Sequence, residues 1–440
     1  MGKLNSFSSI DSRIISTVAA RHGTPVYLYD EQLIIDKCKS LLSMPNAYGL
    51  DVRYAMKANS NKSILKTVSA QGLKIDASSM NEVRRAQLAG ISYGDIILTT
   101  QELPLDQEME SLKEMMKAGL KYNVCSLQQL RNIGDFAAEN KIKLAIRCHP
   151  GTGSGESATR NTGDNYSCFG VHRSDLENAL RYAKDKGLVF DLVHVHIGSG
   201  GDPAVWRDNI DLELKIIEQH FPDAQTVNFG GGLKVARMPD EKEANIEELG
   251  KYAKEKIEEF YQKTNRKLKM EIEPGTYVMA LAGYIVTTVI DKKKTGKDGF
   301  NFLVLDGGME LNARPLLYAA RHPFYVVSQT GSLLSSEFDE AALMGASSDS
   351  AYQAVPVGRC CESGDSQSLD HSGLNVPRRM AEPEIGDFVV IGGAGAYCSS
   401  MSPMNYNSHV QAPELLYTRD GSVKVIREKQ TLEQIIANER

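Results

Sequence analysis

Reactive or ligand-binding residue types follow short apolar runs at several points in this sequence. They are Lys57, Asp76, Arg147, His196, the glycines Gly230, Gly231 and Gly232, and Glu273. An amine held in a cleft can act as a nucleophile, and glycine main-chain N–H groups can approach a phosphate closely. Each residue also has an ordinary structural interpretation, because a lone lysine is usually a solvated surface charge and a glycine run is often a tight turn.

The two alternating histidines, His194 and His196, would face the same side of a strand. They could form a metal pair, but the sequence shows no carboxylates at metal-like spacing around them, so we predict no metal site. A flat imidazole can instead stack on an aromatic cofactor, and a carboxylate can keep a pyridine nitrogen protonated.

An amine, a phosphate cradle, an imidazole plate and a carboxylate together fit pyridoxal 5'-phosphate. Lys57 would be its Schiff-base lysine. The residues that we expect to line this cofactor are Lys57, Asp76, Arg147, His196, Gly230, Gly231, Gly232, Glu273, Gly275 and Thr276.

The elements that position these residues alternate along the chain. A short apolar or β-branched run is followed by a helix-like segment eight times; the runs begin at residues 52, 73, 95, 121, 144, 192, 226 and 270. Strand–helix alternation predicts a parallel sheet, and eight units are the number that closes a β/α barrel. A doubly wound open sheet is the competing architecture, but functional residue types at nearly every strand end favour the barrel.

A second domain is indicated beyond the charged loop at 291–300, where strands follow one another without long helices. This pattern is typical of an all-β domain. We therefore expect the barrel at 30–285, the β domain at 286–440, and an N-terminal segment at 1–29 that is able to join the β domain.

Composition excludes several classes of protein. The chain has 440 residues and a net charge of −6, so neither nucleic acid nor an anionic membrane is an expected partner. No run reaches the roughly 18 apolar residues of a membrane span, and the first ten residues contain no long apolar run, so we expect no secretory signal. Seven scattered cysteines suit neither a disulfide framework nor a structural zinc site, which predicts a reducing, cytoplasmic setting.

From about residue 24 to the C-terminus, the sequence resembles the barrel-type (fold type III) pyridoxal-phosphate decarboxylases, and among them the diaminopimelate decarboxylase family. YAMKAN matches the segment of the cofactor lysine, and NFGGG matches the phosphate-binding glycines. HVHIGSG supplies His196, which the resemblance places on the cofactor ring, and Ser199, which it places at the phosphate. EPG implies that Glu273 faces the pyridine nitrogen.

The resemblance extends into the predicted β domain. CESGD implies that Cys361 is the catalytic proton donor and that Glu362 is a substrate ligand. The catalytic residues that the resemblance implies are therefore Lys57, Cys361 and His196. GAGAY places Tyr397 near phosphate and substrate. NARPLLY offers Arg314 and Tyr318 for the substrate's distal carboxylate. Members of the family are homodimers with shared sites, so Cys361 and Glu362 would reach into the partner's barrel.

The reaction that the resemblance implies is decarboxylation of meso-2,6-diaminopimelate to L-lysine and CO2. Two departures stand against it: Thr276 replaces an arginine after EPG that helps to bind the distal carboxylate, and Cys168 replaces a lysine in SCFG. The alternatives are a decarboxylase for another diamino acid, a carboxylated polyamine or a siderophore precursor, an alanine-racemase-like enzyme, and a non-catalytic binding homologue. The CESGD segment argues against the racemase.

Overall fold

The protein is described by a computed structural model that covers residues 3–4, 8–151, 162–164, 166–198, 203–338 and 352–440. It divides into two compact units. One comprises Lys37–Val235 and Lys242–Val278, and the other comprises Met1–Asp36, Ala236–Glu241 and Met279–Arg440. Among the described residues, no helix is long and apolar enough to cross a membrane.

The Lys37–Val235 unit contains a closed barrel of eight parallel strands, which confirms the predicted fold class. Each predicted apolar run coincides with one strand. With β1 (Val26–Asp30) in the other unit, the barrel strands are β2 (Leu50–Ala55), β3 (Lys74–Ala77), β4 (Ile96–Leu98), β5 (Lys121–Val124), β6 (Leu144–Arg147), β7 (Phe190–His194), β8 (Thr226–Asn228) and β9 (Lys269–Ile272). The pairing of β9 with β2 closes the barrel.

Helices follow the barrel strands. After α1 (Ser12–His22), the chain forms α2 (Glu31–Leu42), α3 (Lys62–Ala70), α4 (Met80–Leu88), α5 (Asp106–Lys117), α6 (Leu127–Glu139), α7 (Arg173–Lys186), α8 (Pro203–His220), α9 (Ile246–Thr264) and the short α10 (Thr276–Met279). Serine caps set two of the strand-to-helix junctions, because the Ser79 and Ser126 hydroxyls accept main-chain N–H bonds at 3.1 and 3.0 Å. Gly187 ends α7 in the left-handed conformation, with φ 67°.

The other unit is built on a ten-stranded sheet, as the change of pattern after residue 300 indicates. Its strands besides β1 are β10 (Gly283–Lys294), β11 (Asn301–Leu305), β12 (Phe324–Val327), β13 (Leu333–Ser336), β14 (Tyr352–Val357), β15 (Arg378–Met380), β16 (Phe388–Ile391), β17 (Glu414–Tyr417) and β18 (Val423–Arg427). The main order is β13-β12-β16-β10-β1-β17-β18, and β11, β14 and β15 continue from β10.

The N-terminal strand β1 lies in the middle of this sheet. It pairs antiparallel with β10 and parallel with β17. Its Val26 and Leu28 are fully buried in one apolar cluster with residues of α1, β10, β12, β16 and β17. Short helices in the same unit are α11 (Arg314–Tyr318), α12 (Cys398–Met401) and α13 (Leu432–Ile436).

Candidate active site

Lys57 lies directly beyond strand β2, in the 3-10 turn Met56–Ala58. The turn packs against Gly275, where an added Cβ would lie 3.0 Å from the Ala55 oxygen and 3.1 Å from the Ala58 Cβ. Ala55 N–H also donates to Pro274 O at 3.3 Å. Residues 274–275 thus fix the main chain on either side of Lys57, and Gly275 allows this close approach because it has no side chain.

The carboxyl group of Glu273 is buried among other carboxyl groups. Burial, with added repulsion from Asp76 and Glu271, raises the pKa of Glu273 to about 8, although the Lys57 ammonium and Asn228 oppose the shift. Burial likewise raises the pKa of Asp76, against the attraction of Lys57. Because the charge of Lys57 lowers the pKa of both carboxyl groups, the amine and the two acids belong to one electrostatic site.

Asn228, at the end of β8, connects this acidic group to the glycine turn. Its Nδ2 donates to Glu271 Oε1 at 2.9 Å and to Glu273 Oε1 at 2.7 Å. Its Oδ1 accepts from Gly230 N–H at 2.9 Å. The same Glu271 oxygen also lies 2.7 Å from Nε of the buried Arg53. One buried amide therefore holds Glu273 and shapes the turn that follows β8.

His194 is a second buried neighbour of Glu273. Its Nε2 lies 3.3 Å from Glu273 Oε2, and its Nδ1 lies 2.9 Å from the amide nitrogen of Asn123. Since an amide nitrogen only donates, Nδ1 is the acceptor and Nε2 carries the hydrogen that faces Glu273. Burial, reinforced by Arg147, lowers the pKa of His194 well below its ordinary value. His194 is thus a neutral imidazole that lies beside the carboxyl group of Glu273.

The glycine turn after β8 is closed around His196. Gly231 N–H donates to His196 Nδ1 at 3.2 Å. A Cβ on Gly230 would lie 2.6 Å from that same Nδ1, and a Cβ on Gly232 would lie 2.6 Å from Gly198 O. Gly230 and Gly232 also have φ 65° and 91°, which disfavour side chains. A side chain at any of the three positions would collide with neighbouring atoms, so only glycine fits this turn.

These barrel residues fit pyridoxal phosphate. Glu273 has a pKa of about 8 because Lys57 does not fully offset its burial and the repulsion from Asp76 and Glu271, and a protonated ring nitrogen would add a second cation. The turn of three glycines carries no side chains, so its main chain can lie close to a phosphate. Lys57 and Arg147 add positive charge, and the neutral His196 offers a flat ring. The predicted Ser199 lies outside the described residues.

We expect the stability of the cofactor-free protein to fall with pH relative to a Glu273→Gln variant. The folded-state pKa of about 8 exceeds the ordinary 4.5, so the folded chain keeps a proton that the unfolded chain releases. This contribution is complete below pH 4.5 and is lost as pH rises to about 8. Tm should be measured against pH for both proteins, and the Tm of the wild type should fall relative to that of Glu273→Gln in this window. A Tm difference that does not change with pH would contradict the raised pKa of Glu273.

The predicted residues of the β domain lie in two places within that unit. Arg314 opens α11 almost completely buried, with its guanidinium 5.8 Å from the Tyr318 ring. Tyr397 precedes α12 in the left-handed conformation, with φ 65°. It follows Gly395, where a Cβ would overlap the Met279 carbonyl oxygen, so this segment has to contain glycine.

Cys361 and Glu362 are exposed on a tight turn of the β domain. The N–H of Gly364, with the Ser363 hydroxyl, lowers the pKa of the Glu362 carboxyl. Asp365 anchors the turn, because its carboxylate accepts from Cys360 N–H at 2.7 Å and from Met309 N–H at 2.6 Å. The turn therefore presents an exposed thiol and an ionised carboxylate side by side.

Within the described part of the chain, one buried group combines three side chains of metal-ligating type: Glu310, Cys360 and Asp365. Their oxygens already accept hydrogen bonds from the main chain, including Gly308 N–H to Glu310 Oε2 at 2.9 Å. Arg359 Nε lies 3.2 Å from Glu310 Oε1. These hydrogen bonds indicate that the group holds the main chain of the Cys361 turn in place.

The two departures from the family pattern lie in the barrel unit. Thr276 is half-buried at the first position of α10, and Cys168 is exposed. Neither side chain can replace a guanidinium or an ammonium as a cation. Sequence reasoning also missed Asn228, Asn123 and Asp365; the signal for the first two is an asparagine next to an apolar residue in a barrel strand.

Known proteins match the chain over nearly its whole length. A family model described as "Pyridoxal-dependent decarboxylase, pyridoxal binding domain" matches residues 32–280. Diaminopimelate decarboxylase of Escherichia coli strain K12 is 30% identical over 423 residues, covering 96% of this chain and 94% of that protein. A crystal structure of diaminopimelate decarboxylase is similar with a TM-score of 0.87 and 29% identity, covering 100% of this chain and 99% of its own. The Helicobacter pylori diaminopimelate decarboxylase complexed with L-lysine gives 0.77 and 27%, covering 96% and 98%.

Proposed function

This chain belongs to the pyridoxal-dependent decarboxylase family, and on that premise we propose that it decarboxylates meso-2,6-diaminopimelate to L-lysine and CO2. It is a pyridoxal-phosphate-dependent carboxy-lyase. The observation that carries the proposal is the barrel site in which Lys57 faces the buried acids Asp76 and Glu273. Relatives named diaminopimelate decarboxylase match both units of the chain, and one of them was crystallised with L-lysine.

Pyridoxal phosphate, when bound, supplies an electron sink for the negative charge that the departing CO2 leaves on the substrate carbon. Lys57 would hold the cofactor covalently. Glu273, kept in place by Asn228 and His194, would face the ring nitrogen and stabilise its positive charge. The residues that complete the cofactor site in this proposal are Asp76, Arg147, His196, Ser199, Gly230, Gly231, Gly232, Gly275, Thr276 and Tyr397.

The residues of the β domain would bind the substrate and move its proton. Arg314 and Tyr318 would hold the distal carboxylate, since a buried guanidinium binds a carboxylate strongly. The ionised Glu362 would pair with the distal ammonium group. Cys361 would donate the proton that replaces CO2 at the substrate carbon, with Tyr397 beside it.

A homodimer with shared active sites is part of the proposal. Two exposed apolar side chains lie beside the Cys361 turn: Leu316, next to Gly364, and Tyr406, next to Glu362. Leu316 packs 3.0 Å from the position of a Cβ on Gly364 in that turn. An apolar patch around an exposed thiol and carboxylate suits a second copy that completes the site. All seven cysteines are free, in keeping with a reducing cytoplasm.

Substrate preference tests the proposal. CO2 release by the purified, cofactor-loaded enzyme should be measured on meso-diaminopimelate, D-lysine, L-lysine and L-ornithine in parallel. We expect a strong preference for meso-diaminopimelate, because Arg314 gives the distal carboxylate a buried cation. No turnover of meso-diaminopimelate would contradict the proposed substrate.

A related activity is the second candidate, because Thr276 cannot supply a second cation for a distal carboxylate. A diamino acid, a carboxylated polyamine or a siderophore precursor without that carboxylate would fit such a site. Preference for L-lysine or L-ornithine in the same assay would favour this alternative.

A further inference from the structure

A second turn, Tyr406–Ser408, forms hydrogen bonds with the turn that carries Cys361. Asn407 Oδ1 accepts a hydrogen bond from the Cys361 N–H at 2.8 Å. The adjacent Tyr406 hydroxyl donates to Glu362 Oε2 at 3.5 Å. Two consecutive residues of one turn therefore contact two consecutive residues of the other, and those two are the proposed proton donor and substrate ligand.

The remaining hydrogen bonds of the Cys361 turn act on its neighbours. Glu362 N–H donates to Cys360 O at 2.8 Å, and Asp365 N–H donates to Glu362 O at 3.1 Å. The Asp365 carboxylate fixes the start of the turn through Cys360 N–H, at 2.7 Å. These contacts set the shape of the turn, whereas the contact from Asn407 acts on the main chain of Cys361 itself.

The main chain of the second turn has an unfavourable conformation that directs this contact. Asn407 is left-handed, with φ 50° and ψ 27°, and Asn405 and Ser408 are also left-handed, with φ 64° and 59°. Such angles cost free energy for residues with a side chain, although asparagine tolerates them better than most. Asn405 directs its amide away from the Cys361 turn, donating to His409 O at 3.0 Å and to Gln430 Oε1 at 2.5 Å. Asn407 directs its amide to Cys361.

We propose that Asn407 is the positioning residue for the Cys361 thiol. By holding the Cys361 N–H, it fixes the direction in which the exposed thiol leaves the main chain. Cys360, the preceding thiol, is buried beside Glu310, so the register of this turn decides which cysteine is presented. The inference rests on the proposed role of Cys361, because a proton donor works only within hydrogen-bond reach of its acceptor.

Two substitutions at equivalent main-chain positions test this role. Asn407→Gly deletes the amide while keeping a residue that favours a left-handed φ, so it spares the fold. Asn405→Gly is the matched control, since it makes the same change two residues away without touching Cys361. We expect kcat of the holoenzyme to fall about 10-fold or more in Asn407→Gly only, with KM within about 2-fold. Asn407→Asp keeps the acceptor oxygen and should restore most of the kcat.

A readout that needs no turnover separates the inference from the proposed function. The rate of iodoacetamide alkylation at Cys361, followed by peptide mass spectrometry of the full-length protein, should rise roughly 3-fold or more in Asn407→Gly, because the Cys361 turn is no longer held. Asn405→Gly should alkylate at the wild-type rate.

Three outcomes are decisive. The inference is overturned if Asn407→Gly matches Asn405→Gly in both kcat and alkylation rate, or if Asn407→Asp is as impaired as Asn407→Gly. A Cys361→Ala enzyme with full turnover would instead contradict the proposed function, and the alkylation comparison would still report on Asn407.

Discussion

The Lys57→Ala enzyme is expected to lose at least about 10³-fold in kcat, because no other residue can replace a covalent attachment point. The absorbance of the bound cofactor should be lost together with turnover. Lys57 lies on the turn that Gly275 packs against, and its charge bears on Asp76 and Glu273. Removing the amine therefore removes both the attachment point and the cation that offsets two buried acids.

Lys62→Ala is the control for this substitution. Lys62 is exposed at the start of α3, five positions along the chain from Lys57. It should bind the cofactor, show its absorbance, and turn over at the wild-type rate. Full turnover by Lys57→Ala, or failure of both variants alike, would refute the assignment of Lys57.

The Cys361→Ala enzyme is expected to lose about 10²-fold in kcat, within the usual contribution of a positioned proton donor. KM should change little, because the proposed substrate ligands Glu362, Arg314 and Tyr318 are unchanged. Cys168→Ala removes another exposed thiol, far along the chain in the barrel unit, and should have no effect. An equal loss in both variants would indicate a general thiol effect instead of proton donation.

Mixing the Lys57→Ala and Cys361→Ala proteins extends this prediction to the dimer. If each site combines Lys57 of one protomer with Cys361 of the other, a mixed dimer has one intact site and one doubly altered site. Random exchange then restores about a quarter of wild-type activity. Recovery of none, after exchange has been verified by differently tagged chains, would place both residues of a site on the same protomer.

The barrel could be predicted from the sequence because its signal is local and repeated. A parallel strand buried on both faces is a short continuous apolar run, and each run here is followed by an amphipathic helix. Lys57, His196, the glycine turn and Glu273 then follow from the rule that function lies at the C-terminal ends of barrel strands.

The residues that support this site could not be predicted in the same way. Asn228 bonds Glu271, Glu273 and Gly230 at once, and Asn123 bonds His194 from another strand. Such contacts depend on the register of neighbouring strands, which periodicity does not specify. Asn407 lies far from Cys361 along the chain, and only the folded β domain joins them.

Strand β1 is synthesised long before the strands with which it pairs, and this affects how the chain folds. This strand leaves the ribosome early, with Val26 and Leu28 destined for the core, but its neighbours β10 and β17 are made much later. The barrel strands β2 to β9 pair instead with neighbours that follow one another in the chain, apart from the closing pair. A nascent chain therefore carries an apolar strand without its sheet partners through most of translation, and a product that stops before β17 retains an open, aggregation-prone edge beside β1.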